Sequence, residues 1–386
     1  MSKLDEIEAL AQEVTAATIT NLPKRCSYIR NWNSSCKACM NACHHEAISR
    51  KIGRIKIDSE LCTNCGACAA ACPTSAMLTS APNQTDIVRA AKATAANYGG
   101  IAAFTCRRHA DALDIDEGRV TVLPCLNYLD EYLICGLLAT GINRVALLCP
   151  SCEGCEVDCD EPFFPVVVKS ARNLMKTWGT DGKVKIFRNI PDNICNCGGK
   201  LRHAKSDRRE ALAHAGGSAM GYIMDSIDEA VTGQKKHVDN SDKQVVVKPE
   251  DVFPADTYRG PRIKKMLDRV GELPEGASIE SRFWVTLDID NTKCIRCGCC
   301  ASMCATHALL YVQDLPENPT RVQRKEAPGT LAFQPDMCMA CGLCADSCFR
   351  KAIVIGNRIP ANYLDPDMLV VLFENEKQKN QRKFGL

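Results

Sequence analysis

The chain has 386 residues, of which 26 are Cys, and its 48 Lys and Arg nearly balance its 46 Asp and Glu. The net charge of +2 gives no indication of nucleic-acid or anionic-membrane binding, which requires a strong local basic excess. Cys-rich disulfide scaffolds are small secreted chains, whereas the N-terminus, MSKLDEIEALAQEV, lacks the apolar segment of a signal peptide. Because no apolar run reaches the roughly 18–20 residues of a membrane span, we expect a cytoplasmic protein with reduced thiols.

Two cysteine runs lie within residues 1–84. One of them is a strict C-x2-C-x2-C-x3-C and consists of Cys62, Cys65, Cys68 and Cys72. The run before it keeps this spacing only over its last three members, because nine residues, SYIRNWNSS, replace the first pair of spacer residues. It consists of Cys26, Cys36, Cys39 and Cys43.

Residues 85–205 have a different periodicity, which predicts an α/β domain. Short apolar runs end at Cys106, Cys125 and Cys149, a fourth run lies near Val184, and helical stretches separate them. Strands that alternate with helices form a parallel sheet, and such sheets bind ligands beyond the carboxyl ends of their strands. We therefore expect the three strand-end thiols to converge with three more from the loop CPSCEGCEVDC. Those three are Cys152, Cys155 and Cys159.

Residues from about Gly100 to Gly179 resemble the iron–sulfur delta subunit of methyl-viologen-reducing hydrogenase/heterodisulfide reductase complexes. The resemblance implies strand-end cysteines that bind an additional iron–sulfur centre, of [2Fe–2S] or [4Fe–4S] type, and pass electrons between a hydrogenase or flavoprotein and its partner. The sequence departs from that family after the first strand, where RRH follows Cys106 in place of a second Cys. The alternatives are a cluster of reduced thiols or a dithiol pair.

Three further features of this domain have simpler interpretations. Cys135 lies in an apolar stripe and is predicted to be a core residue. His109 lies in a charged segment and is predicted to be a surface residue. Cys195 and Cys197, with His203 downstream, are either further ligands of the middle centre or half of a zinc site.

A charged segment, residues 206–284, predicts a helical connector whose charges are solvated. Two strict cysteine runs follow it in residues 285–386. They consist of Cys294, Cys297, Cys300 and Cys304, and of Cys338, Cys341, Cys344 and Cys348. In all four runs an Ala and an apolar residue begin four residues after the last Cys. These pairs are Ala47-Ile48, Ala76-Met77, Ala308-Leu309 and Ala352-Ile353.

The four runs resemble the bacterial two-cluster ferredoxin module, present once in residues 1–84 and once in residues 285–386. The resemblance implies four [4Fe–4S] clusters, each bound by three thiolates of one run and by the fourth Cys of the partner run. Set 1 is then Cys26, Cys36, Cys39 and Cys72; set 2 is Cys62, Cys65, Cys68 and Cys43; set 3 is Cys294, Cys297, Cys300 and Cys348; and set 4 is Cys338, Cys341, Cys344 and Cys304.

Several alternatives remain for these runs. Paired C-x2-C motifs also bind zinc, although zinc sites use two pairs rather than repeated four-Cys runs. If Cys26 is not a ligand, the first cluster is [3Fe–4S] or takes a ligand such as His44 or His45, which are otherwise plain turn residues. Cys299 breaks the ligand spacing and is predicted to be a spare buried thiol.

The sequence thus predicts an α+β multi-domain fold, with two ferredoxin-like modules around a parallel-sheet α/β domain and a helical connector. No dinucleotide-binding, Walker or haem-attachment motif is apparent, so flavin, nucleotide or molybdenum chemistry is expected from another polypeptide. We predict an electron-transfer subunit of a cytoplasmic multi-subunit oxidoreductase of anaerobic metabolism. Its expected partners are redox subunits of flavoprotein, hydrogenase or molybdenum/tungsten-enzyme type; nucleic acid is not an expected partner.

Two other functions are compatible with the same residues. In the first, the middle cysteines form the site of a reductase that acts on a disulfide or a similar small acceptor, which requires an accessible thiolate or an open iron. In the second, the clusters only hold together a scaffold for partner proteins. The repetition of redox-type motifs favours electron transfer over both.

Overall fold

The computed structural model describes residues 19–157, 161–180, 182–195, 259–313 and 329–373, and also residues 315, 316, 318, 320, 323 and 327. The sequence predictions for Cys159, Cys197, His203 and residues 206–258 fall outside the described residues. Within the described part of the chain, no helix is both long and apolar enough to cross a membrane.

The N-terminal module consists of two small antiparallel strand pairs, β1 with β4 and β2 with β3, and three short helices. Its strands are β1 (Ile19–Asn21), β2 (Ile48–Lys51), β3 (Arg54–Ile57) and β4 (Met77–Thr79), and its helices are α1 (Ser27–Arg30), α2 (Ala38–Asn41) and α3 (Ala67–Ala71). Ile19, Ile48 and Met77 are buried around Cys68 and Cys72. Thiols therefore make up much of this small core, which leaves little apolar area to hold the module together by itself.

A four-stranded parallel sheet of order β6-β5-β7-β8 follows, which confirms the predicted parallel sheet. Its strands are β5 (Ile101–Cys106), β6 (Val120–Leu123), β7 (Arg144–Leu148) and β8 (Val184–Phe187), and the accompanying helices are α4 (Gln84–Asn97), α5 (Arg107–Leu113), α6 (Glu131–Ala139) and α7 (Phe164–Thr177). The central strands read IAAFTC and RVALL and are buried on both faces, as is typical of parallel strands covered by helices.

The hydrophobic core beside this sheet also includes residues that lie far downstream in the sequence. Helix α8 (Arg259–Val270), in the predicted connector, packs against α6 and buries Ile263 and Leu267 completely. The indole rings of Trp178 and Trp284 stack with their centroids 6.2 Å apart. The middle sheet and the start of the C-terminal module thus share one hydrophobic core.

The C-terminal module repeats the N-terminal plan with longer strands. Its elements are β9 (Ser278–Glu280), β10 (Thr286–Ile289), α9 (Cys299–Ser302), β11 (Leu309–Gln313), β12 (Gly329–Phe333), α10 (Leu343–Ser347), β13 (Ile353–Gly356), β14 (Arg358–Pro360) and β15 (Val370–Phe373). The pairs β10–β13 and β9–β14 are antiparallel, and β12 lies between β11 and β15 in a three-stranded antiparallel sheet.

Two arginines connect the N-terminal module to the middle domain. The guanidinium of Arg259 donates to the carbonyl oxygens of Ala70 at 2.6 Å and Ala69 at 2.9 Å, and it lies 3.5 Å from the Asp130 carboxylate. These carbonyls end α3, where a helix has unpaired acceptors and a partial negative charge. A cation is therefore favourable at this position, and Arg259 is buried rather than solvated, contrary to the expectation for the connector.

Arg282 makes the second connection. Its Nε and Nη2 donate to the two carboxylate oxygens of Glu131 at 2.8 and 2.7 Å, and Nη2 also donates to the Ala70 carbonyl at 2.8 Å. Glu131 is completely buried at the start of α6. A buried carboxylate without a partner is strongly destabilising, so Glu131 holds the Arg282 guanidinium in place. Arg282 in turn binds the last turn of α3 and so fixes it against the middle domain.

Replacing Arg282 by Met is expected to destabilise the protein by about 3–5 kcal/mol, since Glu131 would remain buried without its partner. The measurement is the temperature of thermal unfolding under anaerobic conditions. The matched control is Arg358→Met, which breaks an exposed ion pair of 2.8 Å with Glu280 and should cost at most about 1 kcal/mol. Equal effects of the two substitutions would contradict the structural importance of the buried pair.

Candidate metal centres

Two of the predicted ligand sets each line a single cavity. Cys43, Cys62, Cys65 and Cys68 of set 2 border one cavity, and the four thiols of set 3 border another. In both cavities three thiols come from one run and the fourth from the partner run. This is the crossed arrangement that the ferredoxin resemblance implies.

Set 1 is gathered in the same way. Burial, followed by the charges on Cys72, Cys36 and Cys26, raises the pKa of the Cys39 thiol to about 12. Cys72 belongs to the second run, so it is the fourth member of this group. Thiols packed this closely keep their protons unless a bound cation displaces them, because the neighbouring thiolates repel one another. Metal binding is therefore the chemistry that such a group favours.

Set 4 completes the four groups. Burial, followed by the charge on Cys304, raises the pKa of Cys338 well above its usual range. Burial also raises the pKa of Cys344, with contributions from Cys341 and then Cys304. Cys304 comes from the preceding run, so the fourth member again crosses between runs. Among the described residues, no three His, Cys, Asp or Glu side chains converge tightly enough to hold a single metal ion.

The backbone around the thiols explains the glycines of the three strict runs. Gly66, Gly298 and Gly342 have φ of 83°, 70° and 73°, and each caps the helix that carries the next Cys of its run. A side chain disfavours this left-handed conformation, so Gly is preferred there. In the first run the corresponding residue is Lys37, with φ of −124°, so this run departs from the other three in conformation as well as in spacing.

The repeated Ala is buried in all four runs, which favours a small side chain, and in two runs its backbone N–H reaches a sulfur. The backbone N–H groups of Ala76 and Ala352 donate to Cys72 Sγ at 3.2 Å and Cys348 Sγ at 3.3 Å. Three residues after the last Cys of every run, the residue has a φ between 51° and 54°, which turns the chain back toward the sulfur. These residues are Glu46, Ser75, His307 and Lys351. Such N–H donors stabilise cluster-bound thiolates, so the surroundings fit [4Fe–4S] ligation.

The two adjacent histidines differ in their environments. His44 is exposed, in agreement with a plain turn residue. His45 lines the cavity of set 2 beside Cys43, and its Nε2 is buried without a protein partner. A buried nitrogen of this kind requires a partner, and a cluster sulfur in the cavity would supply an acceptor. The structure thus associates His45 with set 2 and not with the first cluster, for which it was an alternative ligand.

Three strand-end thiols of the middle domain converge as the α/β topology predicts. Cys106 ends β5, Cys149 follows β7 directly, and their Sγ atoms interact electrostatically. Cys149 Sγ lies 3.5 Å from Cys152 Sγ. Cys155 interacts with Cys106, and Cys125 interacts with Cys149. These five cysteines are called the middle set below. The sixth predicted member, Cys159, lies outside the described residues.

His109 was predicted to be a surface residue, and this is wrong. Its side chain is buried, and Nδ1 lies 3.2 Å from Cys106 Sγ. Nε2 lies 2.8 Å from the carbonyl oxygen of Ser151, which can only accept, so Nε2 carries a proton and donates. Burial lowers the pKa of His109, which favours the neutral ring. In that form Nδ1 accepts from the Cys106 thiol, so the ring orients this sulfur.

Sequence reasoning also missed Arg188. Its Nη1 donates to the Cys149 carbonyl oxygen at 3.2 Å and lies 3.9 Å from Cys149 Sγ. The pKa of Cys149 is lowered, first by its hydrogen bond with Cys152 and then by the charge of Arg188. Arg188 directly follows β8, the fourth strand. The rule that ligand contacts lie beyond the carboxyl ends of parallel strands would have identified it.

The remaining cysteines have different environments. Cys135 is completely buried in the core of the middle domain, as predicted. Cys195 forms an isolated bridge with Ile115 and packs in a separate small core, next to Ile194. Cys299 was predicted to be buried, but it is exposed at the cavity of set 3 because its helix α9 starts at the surface.

Neighbouring sets approach one another inside each module. The thiol of Cys68 in set 2 interacts with Cys39 in set 1. The thiol of Cys344 in set 4 interacts with Cys300 in set 3. Each module therefore presents two adjacent groups of four thiols.

Contacts between the modules show which sets are neighbours across a module boundary. Cys341 of set 4 interacts with Cys36 of set 1 across the boundary between the N- and C-terminal modules. On the other side of the N-terminal module, the Tyr128 ring packs on Gly66, where a Cβ would lie 2.7 Å away. Burial first, and then the charges on Cys65 and Cys125, raise the pKa of this tyrosine. The order is thus set 3, set 4, set 1, set 2 and the middle set.

Two regions of the chain match a known protein family. Residues 34–76 and 285–352 each match the 4Fe-4S dicluster domain. No curated protein and no solved structure matches the chain. The two predicted ferredoxin-like modules are therefore confirmed, and with them [4Fe–4S] clusters and an iron–sulfur electron-transfer role. The number of clusters, the ligand sets, the middle centre and its likeness to the delta subunit stay predictions.

Replacing Cys348 by Ser is expected to alter the cluster bound by Cys294, Cys297 and Cys300, because the sulfur of Cys348 lines their cavity. Low-temperature EPR of the reduced protein measures the effect. The control is Cys299→Ser, which removes an exposed thiol of the same cavity and should leave all cluster signals in place. A change confined to the cluster of Cys338 would show that the crossed pairing is wrong.

Proposed function

We propose that the protein is an electron-transfer subunit that relays electrons through four [4Fe–4S] clusters and one further iron–sulfur centre in the middle domain. The observation that carries this proposal is the order of the thiol groups. The helices that carry Cys39 and Cys68 are in contact, and so are those that carry Cys300 and Cys344. Asn31 and Ser35 hydrogen-bond to the helix end before Cys348, and the Tyr128 ring packs on Gly66. Each [4Fe–4S] cluster carries one electron. A row of neighbouring clusters therefore allows an electron to travel farther than a single cluster could carry it.

The protein's own groups would set the potentials along this line. Each cluster, when bound, accepts and releases one electron at its iron–sulfide core. Backbone donors such as Ala76 N–H and Ala352 N–H stabilise the charge at the ligand sulfurs. Burial favours the less charged state, and the buried Tyr128 ring packs on Gly66 of set 2's run. Different balances of burial and hydrogen bonding would give the sets different potentials.

Both ends of the line lie near the surface, where partners would exchange electrons. At set 3, Cys297 is exposed, and Ile295 and Phe349 expose apolar surface beside it. At the other end, Cys152 and Cys155 of the middle set are half-buried in a surface loop. Such ends suit redox subunits of the proposed partner types, a flavoprotein, a hydrogenase or a molybdenum/tungsten enzyme, within a multi-subunit oxidoreductase.

If four cubanes are present, the protein isolated without oxygen should contain about sixteen iron atoms and as many acid-labile sulfides per chain, plus the iron of the middle centre. Anaerobic iron, sulfide and zinc analysis measures this directly. The matched control is the Cys135→Ala variant, which removes a core thiol assigned to no cluster and should retain the same iron content. Zinc in place of iron in the C-terminal module would overturn the proposal.

One observation favours the alternative function of a disulfide reductase. Cys149 and Cys152 form a close pair whose first member has a lowered pKa, and His109 contacts Cys106 in the same group. A reductase needs a reactive thiolate and a proton donor. Cys149 is a candidate for the thiolate, whereas His109 already donates its Nε2 proton to the Ser151 carbonyl oxygen. Relay remains the better-supported function, because Cys125 and Cys149 are buried and set 2 adjoins the group.

The substitution Cys152→Ser separates the two functions. If the middle set only relays electrons, the substitution slows transfer between the donor and acceptor subunits, and the isolated wild-type protein reduces no disulfide. The measurements are stopped-flow reduction with the partner proteins and disulfide turnover by the chain alone. Steady turnover of a disulfide by the isolated chain, abolished by Cys152→Ser, would establish the reductase instead.

A further inference from the structure

Arg50 differs in charge from the residues at the same place in the other three runs. It lies three residues after the buried Ala of the first run, where the other runs have Thr79, Tyr311 and Ile355. A guanidinium remains protonated in proteins. The first run therefore has a permanent positive charge at a position where the other three runs are neutral.

Strand β2 directs Arg50 toward the thiols of its module. Side chains alternate between the two faces of a strand, so Arg50 lies on the same face as Ile48. Ile48 is buried in the core that also contains Cys39 and Cys72 of set 1. Arg54, on the paired strand β3, is exposed. One arginine of this hairpin therefore lies on the side of the thiols, and the other lies in solvent.

Two contacts hold the Arg50 guanidinium beside a predicted ligand of set 1. Its Nη2 donates to the backbone carbonyl oxygen of Cys36. Its Cζ lies 4.5 Å from the centre of the Tyr28 ring, which is a cation–π contact. Tyr28 belongs to the nine residues between Cys26 and Cys36, where the other runs have only two. The longer spacer of the first run thus supplies the ring that positions the cation.

The Nε nitrogen of Arg50 lacks an acceptor. It is buried and has no hydrogen-bond partner among the described residues. A buried N–H group without a partner is destabilising, so an acceptor is expected there. The carbonyl oxygen of Cys36 and the Tyr28 ring carry no full negative charge, so they do not neutralise the guanidinium either. A [4Fe–4S] cluster with four thiolate ligands is anionic and has sulfurs that accept hydrogen bonds, so it would meet both needs.

We propose that Arg50 contacts the cluster of set 1 through its Nε–H group and raises the reduction potential of that cluster. The proposal rests on the proposed function, because it assumes that set 1 binds a [4Fe–4S] cluster. On reduction, this cluster accepts one electron from a neighbouring reduced cluster, and no covalent bond forms or breaks. No proton moves, because the guanidinium is protonated before and after the step. The guanidinium attracts the added negative charge, and a half-buried site screens this attraction only weakly, so the reduced state is stabilised.

Tyr311 is the neutral counterpart of Arg50 in the C-terminal module. Its hydroxyl donates to the carbonyl oxygen of Arg296 at 2.7 Å, directly before Cys297 of set 3. The same strand position therefore contacts the loop between the first two cysteines, or its end, in both modules. A hydrogen bond to this part of the chain is common to the two modules, whereas a charged donor at this position is specific to set 1.

The test is a redox titration of the full chain, monitored by EPR under anaerobic conditions. The signal of set 1 is identified as the one altered by Cys39→Ser. Arg50→Gln retains a donor for the Cys36 carbonyl but removes the charge, so it should shift the potential of that signal to a more negative value and leave the other signals in place. Arg50→Lys retains the charge and should cause a smaller shift. The matched control is Arg54→Gln, which removes an exposed cation from the same hairpin and should leave the set 1 potential unshifted.

A second pair of variants decides the outcome if Arg50→Gln does not retain the set 1 cluster. Tyr28→Leu removes the ring but leaves the cation in the chain, so it should shift the set 1 potential in the same direction, whereas Tyr28→Phe keeps a ring and should not. In that case an unshifted signal in Tyr28→Leu overturns the proposal.

The proposal is also overturned if Arg50→Gln retains full iron content and an unshifted set 1 signal. The same conclusion follows if Arg54→Gln or Arg50→Lys shifts this signal as far as Arg50→Gln does. Absence of any set 1 signal in the wild-type protein would instead contradict the proposed function.

Discussion

The two arginines that bind the end of α3 are the constraint on which the rest of the structure depends. Helix α3 carries Cys68 and lies directly before Cys72, so its position fixes one predicted ligand each of sets 2 and 1. Arg259 and Arg282 bind its last carbonyl groups and pair with carboxylates of the middle domain. Each buried carboxylate would be costly to leave without its arginine, so these contacts tie together the N-terminal module, the sheet and the downstream chain. The module's own core is too small and too rich in thiols to provide this stability.

This constraint also explains the arrangement of the centres. With α3 fixed, Gly66 at its start lies under the Tyr128 ring, which brings set 2 next to the middle set. On the opposite side of the module, Asn31 and Ser35 meet helix α10, which brings set 1 next to set 4. The N-terminal module therefore occupies the middle of the line rather than one end, although it comes first in the sequence.

Local patterns in the sequence were sufficient to predict the local chemistry. The Cys spacing and the Ala after each run predicted two ferredoxin-like modules, and in the structure each of these Ala residues is buried. Apolar runs that end in Cys predicted the convergence of the middle thiols. Two of the missed features depend on contacts between distant segments: Arg282 meets residues about 150–210 positions away, and His109 is buried because the Ser151 loop covers it. Periodicity within one segment carries no information about such partners.

The central claim is that the five centres form one continuous line in which set 1 adjoins set 4. Magnetic coupling between clusters tests it most directly, since neighbouring paramagnetic clusters broaden and split each other's EPR signals. In the fully reduced protein, the account predicts that the set 1 signal is coupled to both set 2 and set 4, and that loss of the set 4 cluster in Cys344→Ser removes one of these couplings. Two separate coupled pairs, with a set 1 signal that is unaffected by Cys344→Ser, would contradict it.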